Sequence, residues 1–271
     1  MALMHILLLV GIGLLVGFIG TLIGAGGGFI LVPVLLILYP ALKPDEITSI
    51  SLGVVFLNAT SGSIAYSKMK RIDYRSALIF AAATLPGAIM GALFTSFIPR
   101  ETFNIILGFL LLVISIFLLL KPDYKSKISQ GQKQGAVHRT LTDAKGETYQ
   151  FSFNLWTGII ISFFVGYLSS LLGIGGGIIH VPALTALLNF PIHIATATSH
   201  FILAVMALAG TIVHIYQGHL NNTWPTMLLI GGGVIVGAQF GAFFSHRVKP
   251  VVIIRALAIA LLVVGVRIIF M

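Results

Sequence analysis

The 271-residue chain is 58% hydrophobic and 8% charged, with 16 Lys and Arg against 7 Asp and Glu, and its mean hydropathy is +1.06. A soluble domain carries about 25% charged residues, so a water-facing globular surface is excluded. The absence of cysteine excludes disulfides, thiolate chemistry and cysteine metal sites, and in so apolar a chain the net charge of +9 marks membrane sidedness rather than a nucleic-acid partner.

Apolar runs fall near residues 3–23, 27–42, 47–67, 76–98, 102–120, 154–172, 175–190, 194–217, 224–245 and 250–270. They predict an all-α integral membrane protein of about ten transmembrane or broken helices, because about 20 apolar residues make one crossing. The second and seventh runs are short for that task and could stop within the bilayer. Met1 to His5 carry no Lys or Arg, so the first run is expected to be retained rather than cleaved as a signal peptide. If every run crosses, Lys68, Lys70, Arg71, Arg75, six Lys and Arg of 121–153, Arg247 and Lys249 share one side, against Lys43, Arg100 and Arg267 on the other. The positive-inside rule makes the first side cytoplasmic and puts both termini outside.

The halves match. Gly24-Ala-Gly-Gly-Gly-Phe-Ile-Leu-Val-Pro33 returns as Gly173-Ile-Gly-Gly-Gly-Ile-Ile-His-Val-Pro182; Thr48, Ser51 and Gly62 return as Thr196, Ser199 and Gly210, and Gly87 and Gly91 as Gly237 and Gly241. A slowly drifting offset through several landmarks indicates duplication. The expected organisation is one five-segment repeat at 1–120, a cytoplasmic linker at 121–153 and a second repeat at 154–271. An odd number of segments per unit inverts the second unit, giving two inverted five-helix repeats, a build common among secondary transporters. Within the linker, polar and apolar residues alternate on both sides of Asp143-Ala-Lys-Gly146, which suits a small hairpin.

The glycine blocks are not nucleotide loops, since no Gly-Lys-Ser/Thr follows and no Gly-x-Gly-x-x-Gly forms. At membrane depth they would break the helix and free backbone N–H groups at the head of the next one, where the helix dipole is positive. That suits an anion. Close helix packing through glycine is the simpler alternative. The third segment of each half adds a polar stripe: Thr48, Ser51, Asn58, Gly62 and Tyr66 share a helix sector, as do Thr196, Ser199, Gly210 and His214, with His200 near the second set. No Asp or Glu lies inside an apolar run, which disfavours a buried cation site and removes the main repulsion against an anion.

Besides His5 and Arg267 near the ends of the chain, His180, His200, His214 and Arg255 are the histidine and arginine residues within the runs. His180 stands where the first half has Leu31, an asymmetry that fits a role in function better than one in architecture. His180 and His200 are the candidates for proton coupling. His214 belongs near a membrane boundary; His193, His219 and His246 read as solvated loop residues. No His-x3-His pair and no membrane carboxylate support a metal site, and Ser199-His200 are neighbours whose side chains diverge on a helix, so neither cofactor, metal nor enzymatic hydrolysis is expected. The substrate site is expected mid-membrane between the halves, lined by Gly24, Gly26, Gly27, Gly28, Thr48 and Ser51 and by Gly175, Gly176, Gly177, His180, Thr196, Ser199 and His200.

The doubled Gly-x-Gly-Gly-Gly-x4-Pro block, Ala197-Thr-Ser-His200 and the basic loop ending in Asp-x-x-Gly resemble the sulfite exporter TauE/SafE family of membrane permeases over nearly the whole chain. The resemblance implies a multi-pass protein of a bacterial or archaeal cytoplasmic membrane, in bacteria the inner membrane. It also implies a transporter of a small sulfur oxoanion or organosulfonate, such as sulfite or sulfoacetate; a secondary transporter working in the export direction is expected, with proton coupling the expectation set by His180 and His200. A passive anion channel and a non-transporting membrane partner protein are the alternatives. The expected partners are the anion, the lipid bilayer and protons; a homo-oligomer is compatible with the sequence, and nucleic acid is not expected.

Overall fold

The computed structural model describes residues 2–120, 136–245 and 250–270. Linker residues 121–135, His246, Arg247 and Lys249 lie outside the described residues, as does the side chain of Arg255. The described residues form ten helices: α1 (Ala2–Ile23), α2 (Gly28–Leu38), α3 (Pro44–Lys68), α4 (Tyr74–Thr95), α5 (Arg100–Leu120), α6 (Leu155–Leu172), α7 (Gly177–Ala186), α8 (Ile192–Tyr216), α9 (Trp224–Phe244) and α10 (Pro250–Ile269). Strands β1 (Ala136–Thr142) and β2 (Thr148–Asn154) form one antiparallel hairpin between α5 and α6.

Among the described residues α1, α3, α4, α5, α6, α8 and α9 are long and apolar enough to cross a membrane. At 1.5 Å per residue α2 and α7, of 11 and 10 residues, reach only about half of a ~30 Å hydrocarbon core. The polarity is that of a lipid-solvated protein. Phe109 is 65% exposed and Phe97 79%, whereas Thr48, Ser51, Asn58, Ser199 and His200 are fully buried.

Glycine lets the helices approach backbone to backbone. A Cβ on Gly87 or Gly91 of α4 would sit 2.9 Å from the amides of Tyr167 or Leu171 on α6; one on Gly237 of α9 would sit 2.9 Å from that of Phe18 on α1. Thus α4 packs on α6 and α9 on α1. Helix α3 packs on α8 and α9, α8 on α3 and α4, and α5 on α10. Each pairing either maps onto itself or exchanges with another when every helix is replaced by the one five places away.

α3 and α8 run antiparallel, Gly62 lying beside His200 and Gly210 beside Leu52. Helix α2 doubles back along α1, so that Tyr39 Oη comes 3.2 Å from His5 Nε2. Pro44 opens α3, where the Glu46 carboxylate accepts from the Lys43 amide, and Asp73 caps α4 by accepting from Ser76.

The hairpin docks on the end of α3. Arg71 reaches Asp143 at 3.3 Å, Ala144 N donates to Met69 O, and Phe151 and Phe153 pack on Phe190. Burial by itself would raise the Asp143 pKa, but the Lys145 and Glu147 amides and the Arg71 guanidinium outweigh it and hold the carboxyl below the usual range.

Candidate substrate site

Two breaks in helical structure meet in the core. Gly24, Gly26 and Gly27 have φ of 84°, 76° and 82°, and Gly173 and Gly175 both have φ of 68°, a region that L side chains rarely adopt. The turn after α1 folds back so that Ala25 N and Gly26 N both donate to Gly20 O. The breaks then cross. A Cβ on Gly28 would lie 2.6 Å from the Gly173 carbonyl oxygen, and one on Gly177 would lie 2.6 Å from Ala25 Cα. Only glycine allows this approach, and it brings the first turns of α2 and α7 together, each with amides that have no intrahelical acceptor.

Hydroxyls from the long helices close around the crossing. Ser51 Oγ donates to Gly173 O at 2.6 Å, and Ser199 Oγ to Gly24 O at 3.5 Å. Thr196 packs on Gly24 as Thr48 does on Gly173, and Val55 lies against both Gly26 and Gly175. Because α3 and α8 cross antiparallel with Val55 and Leu203 near their centres, the meeting point lies at the middle of the helix pair. Every sequence-predicted site residue is buried.

His200 Nε2 is 3.3 Å from Thr21 Oγ1, which donates to Asn58 Oδ1; Asn58 Nδ2 donates to Gly26 O, and Tyr66 Oη donates to Thr21 O. His200 therefore touches the first glycine break through two side chains. Its ring also meets Tyr66 edge-on, centroids 5.5 Å apart.

His180 faces elsewhere. Its Nε2 is 3.2 Å from Ser162 Oγ on α6 and its ring neighbours Phe80 on α4, while the adjacent Val181 meets Gly24. The structure thus joins His200 to the crossing and sets His180 behind α7. Among the described residues no His, Cys, Asp or Glu cluster could hold a metal.

Thr21 is the site residue that the sequence reading passes over. A signal existed: Thr21 and Ser170 share the 149-residue offset of the glycine blocks, and Ser170 Oγ approaches Gly210 as Thr21 Cγ2 approaches Gly62. His193 and His219 also depart from expectation. His193 lies in the first turn of α8. His219 is only 17% exposed, with Nδ1 3.0 Å from His214 Nδ1 and Nε2 3.4 Å from Asp45 Oδ2, because the loop after α8 turns back onto the start of α3.

An apolar exterior, a polar interior and two broken helices crossing at depth define a polytopic membrane protein with a glycine-broken core. A family model described as Sulfite exporter TauE/SafE matches residues 9–268. The chain is 34% identical to the probable membrane transporter protein YunE of Bacillus subtilis, over 98% of each chain. It is 26% identical to a probable membrane transporter protein of Methanocaldococcus jannaschii over 90% of this chain and 87% of that one, and 24% identical to YdhB of Bacillus subtilis over 98% and 99%. No solved structure matches. The chain belongs to the TauE/SafE family and is a multi-pass membrane transporter of that type.

Proposed function

We propose that the protein is a secondary transporter exporting a small sulfur oxoanion or organosulfonate, with protons as the coupling ion and the substrate held where the glycine breaks cross. The observation that carries this is the crossing itself, which gathers two helix N-termini and several hydroxyl groups at one buried place without a carboxylate. An anion stripped of water needs such donors, each charge-assisted bond contributing about 1.5–3 kcal/mol. The TauE/SafE family name supplies the sulfur chemistry. A transporter rather than an enzyme is the reading that the family and its membrane-transporter relatives support.

Two inverted five-helix repeats, 1–120 and 154–271, would carry the transport cycle, joined by the linker 121–153 on the cytoplasmic side. Supporting this are the paired sequence blocks, the antiparallel packing of α3 on α8 and the exchange of helix pairings between halves. Such repeats provide alternating access by rocking one unit against the other. On the side of the hairpin, Lys68, Lys70, Arg71 and Arg75 mark the cytoplasm by the positive-inside rule.

Purified protein in proteoliposomes tests it. With sulfite, sulfoacetate and nitrate offered in turn, an imposed pH gradient should drive sulfite or sulfoacetate against its own concentration gradient. Downhill flux alone would make the protein a channel, and no flux of any sulfur anion would leave a non-transporting partner protein.

A further inference from the structure

On the face opposite the hairpin, four side chains from two distant stretches of the sequence form a continuous chain. Asp45 Oδ2 is 3.4 Å from His219 Nε2, His219 Nδ1 is 3.0 Å from His214 Nδ1, and His214 Nε2 is 3.5 Å from Thr48 Oγ1. The outer end is reachable by water: Asp45 lines a cavity of about 280 Å³ together with Lys43 and Arg100. The inner end is not. His214 and Thr48 are fully buried, and Thr48 packs on Gly173 at the second glycine break.

Hydrogen counting gives this chain two states. In the first, the Thr48 hydroxyl donates to Pro44 O or Asp45 O, which lie 2.9 and 3.0 Å away. Thr48 Oγ1 then accepts from His214 Nε2–H, so a neutral His214 has a bare Nδ1 that accepts from His219 Nδ1–H. His219 Nε2 must still carry a proton to meet the Asp45 carboxylate. His219 is thus an imidazolium, and the chain holds one proton more than a pair of neutral histidines beside a carboxylate.

Removing that proton reverses the His219–His214 and His214–Thr48 bonds. A neutral His219 with its proton on Nε2 keeps its bond to Asp45 and offers a bare Nδ1. His214 must then place its proton on Nδ1, leaving Nε2 bare, and the Thr48 hydroxyl turns from the backbone to donate to it. One proton gained or lost at the water-facing end therefore changes which way the Thr48 hydroxyl points, three bonds away. No atom need move beyond hydrogen positions.

We infer that Asp45, His219 and His214 form a proton-binding chain that reports protonation at the outer face to Thr48 beside the Gly173 break, and that it is the proton site of the transporter. This rests on the transporter reading given above. The other charged groups near it are Glu46, whose carboxylate is engaged by the Lys43 amide, and Lys43 and Arg100 across the cavity. The 217–223 loop and the facing ends of α4, α6 and α9 add no other charged side chain, while His5 on α1 and Tyr39 on α2, which bond to each other, and Glu101 beside Arg100 on α5 share this face, and His180 on α7 is turned to Ser162.

Two measurements on the full-length protein separate the chain from the reading beneath it. Histidine-selective ¹⁵N NMR in lipid nanodiscs, followed across pH, should show a form with His219 protonated on both nitrogens. His214 should change tautomer at the same pH at which His219 titrates, and Asp45→Asn should abolish the doubly protonated form. Independent titration of the two rings, or an Asp45→Asn spectrum identical to wild type, would overturn the chain whatever the transport result. In proteoliposomes with sulfite as the probe, Asp45→Asn and His219→Gln should lose accumulation driven by a pH gradient while downhill sulfite flux persists. Retained accumulation in both variants would also overturn it. Absence of sulfite flux in the wild-type protein would instead sink the transporter reading, and the NMR result alone would then decide the chain.

Discussion

The Ser51 hydroxyl donates to the Gly173 carbonyl at 2.6 Å, joining α3 of one half to the glycine break of the other across 122 residues. Its counterpart, Ser199 to Gly24, is stretched to 3.5 Å. A helix that ends within a membrane leaves carbonyls without partners, and these serines satisfy one on each side. The difference in length makes the two bonds unequal: the Gly173 carbonyl is held firmly by its serine and the Gly24 carbonyl loosely.

Ser51→Ala should therefore cost more than Ser199→Ala. A buried carbonyl left without its donor loses about 1–3 kcal/mol, whereas a bond at the limit of hydrogen-bond length has little to lose. Thermal unfolding of the detergent-solubilised variants measures this, and equal shifts in Tm would show that both bonds contribute alike.

The crossing of the breaks gives a sharper test. Alanine at Gly28 or Gly177 would push a methyl into the opposing backbone, where no side chain can move aside, at a cost of about 1–3 kcal/mol or more. Both variants should lose transport and stability together. Gly232 is the control: it is exposed on α9, a Cβ there would meet nothing within 4 Å, and alanine should gain about 0.5–1 kcal/mol from helix propensity. A Gly28→Ala protein as stable as Gly232→Ala would show that the breaks do not touch as described.

Much of this was legible in the sequence for a physical reason. Helices that must lie against lipid are apolar along their length, so the segments announce themselves, and the glycine blocks stand out because only glycine supplies both the positive φ at Gly24 and Gly173 and the close approach at Gly28 and Gly177. What was hidden is pairing at long range. Nothing local tells that Thr21 meets His200, that His180 turns to Ser162 rather than to the crossing, or that His219 folds back onto Asp45. A helical wheel gives the face of a residue but not the helix that the face will meet. The short length of α2 and α7 was also only half legible, because the apolar runs continue past both helix ends through Pro40 and Phe190.

His180 and His200 should differ in what they control. His200→Leu removes the ring nitrogen that meets Thr21 and so breaks the network that reaches Gly26 through Asn58. It should weaken the binding of sulfite and leave the pH dependence of transport, set by the Asp45–His219–His214 chain, in place. His180→Leu, at the position bonded behind α7 to Ser162, should alter stability more than sulfite binding. Sulfite binding weakened by His180→Leu and untouched by His200→Leu would reverse these assignments.

The hairpin offers the last prediction, set by the Arg71–Asp143 pair that clips it to α3. Asp143 has its folded pKa held below the unfolded value near 3.9, so it contributes stability that is fully present above about pH 4 and is lost as pH falls through the folded pKa. Docking should accordingly be insensitive to pH between neutrality and about pH 5 and should weaken only in stronger acid. Asp143→Asn removes the charge at every pH and leaves the Arg71 guanidinium buried without its anion, at a cost of about 1–3 kcal/mol. Hydrogen exchange at the Ala144 amide, which donates to Met69 O, reads docking directly. Exchange in Asp143→Asn should be fast at neutral pH, as it becomes in the wild-type protein only in strong acid. Slow exchange in the variant would mean that Phe151 and Phe153, packed on Phe190, hold the hairpin without the ion pair.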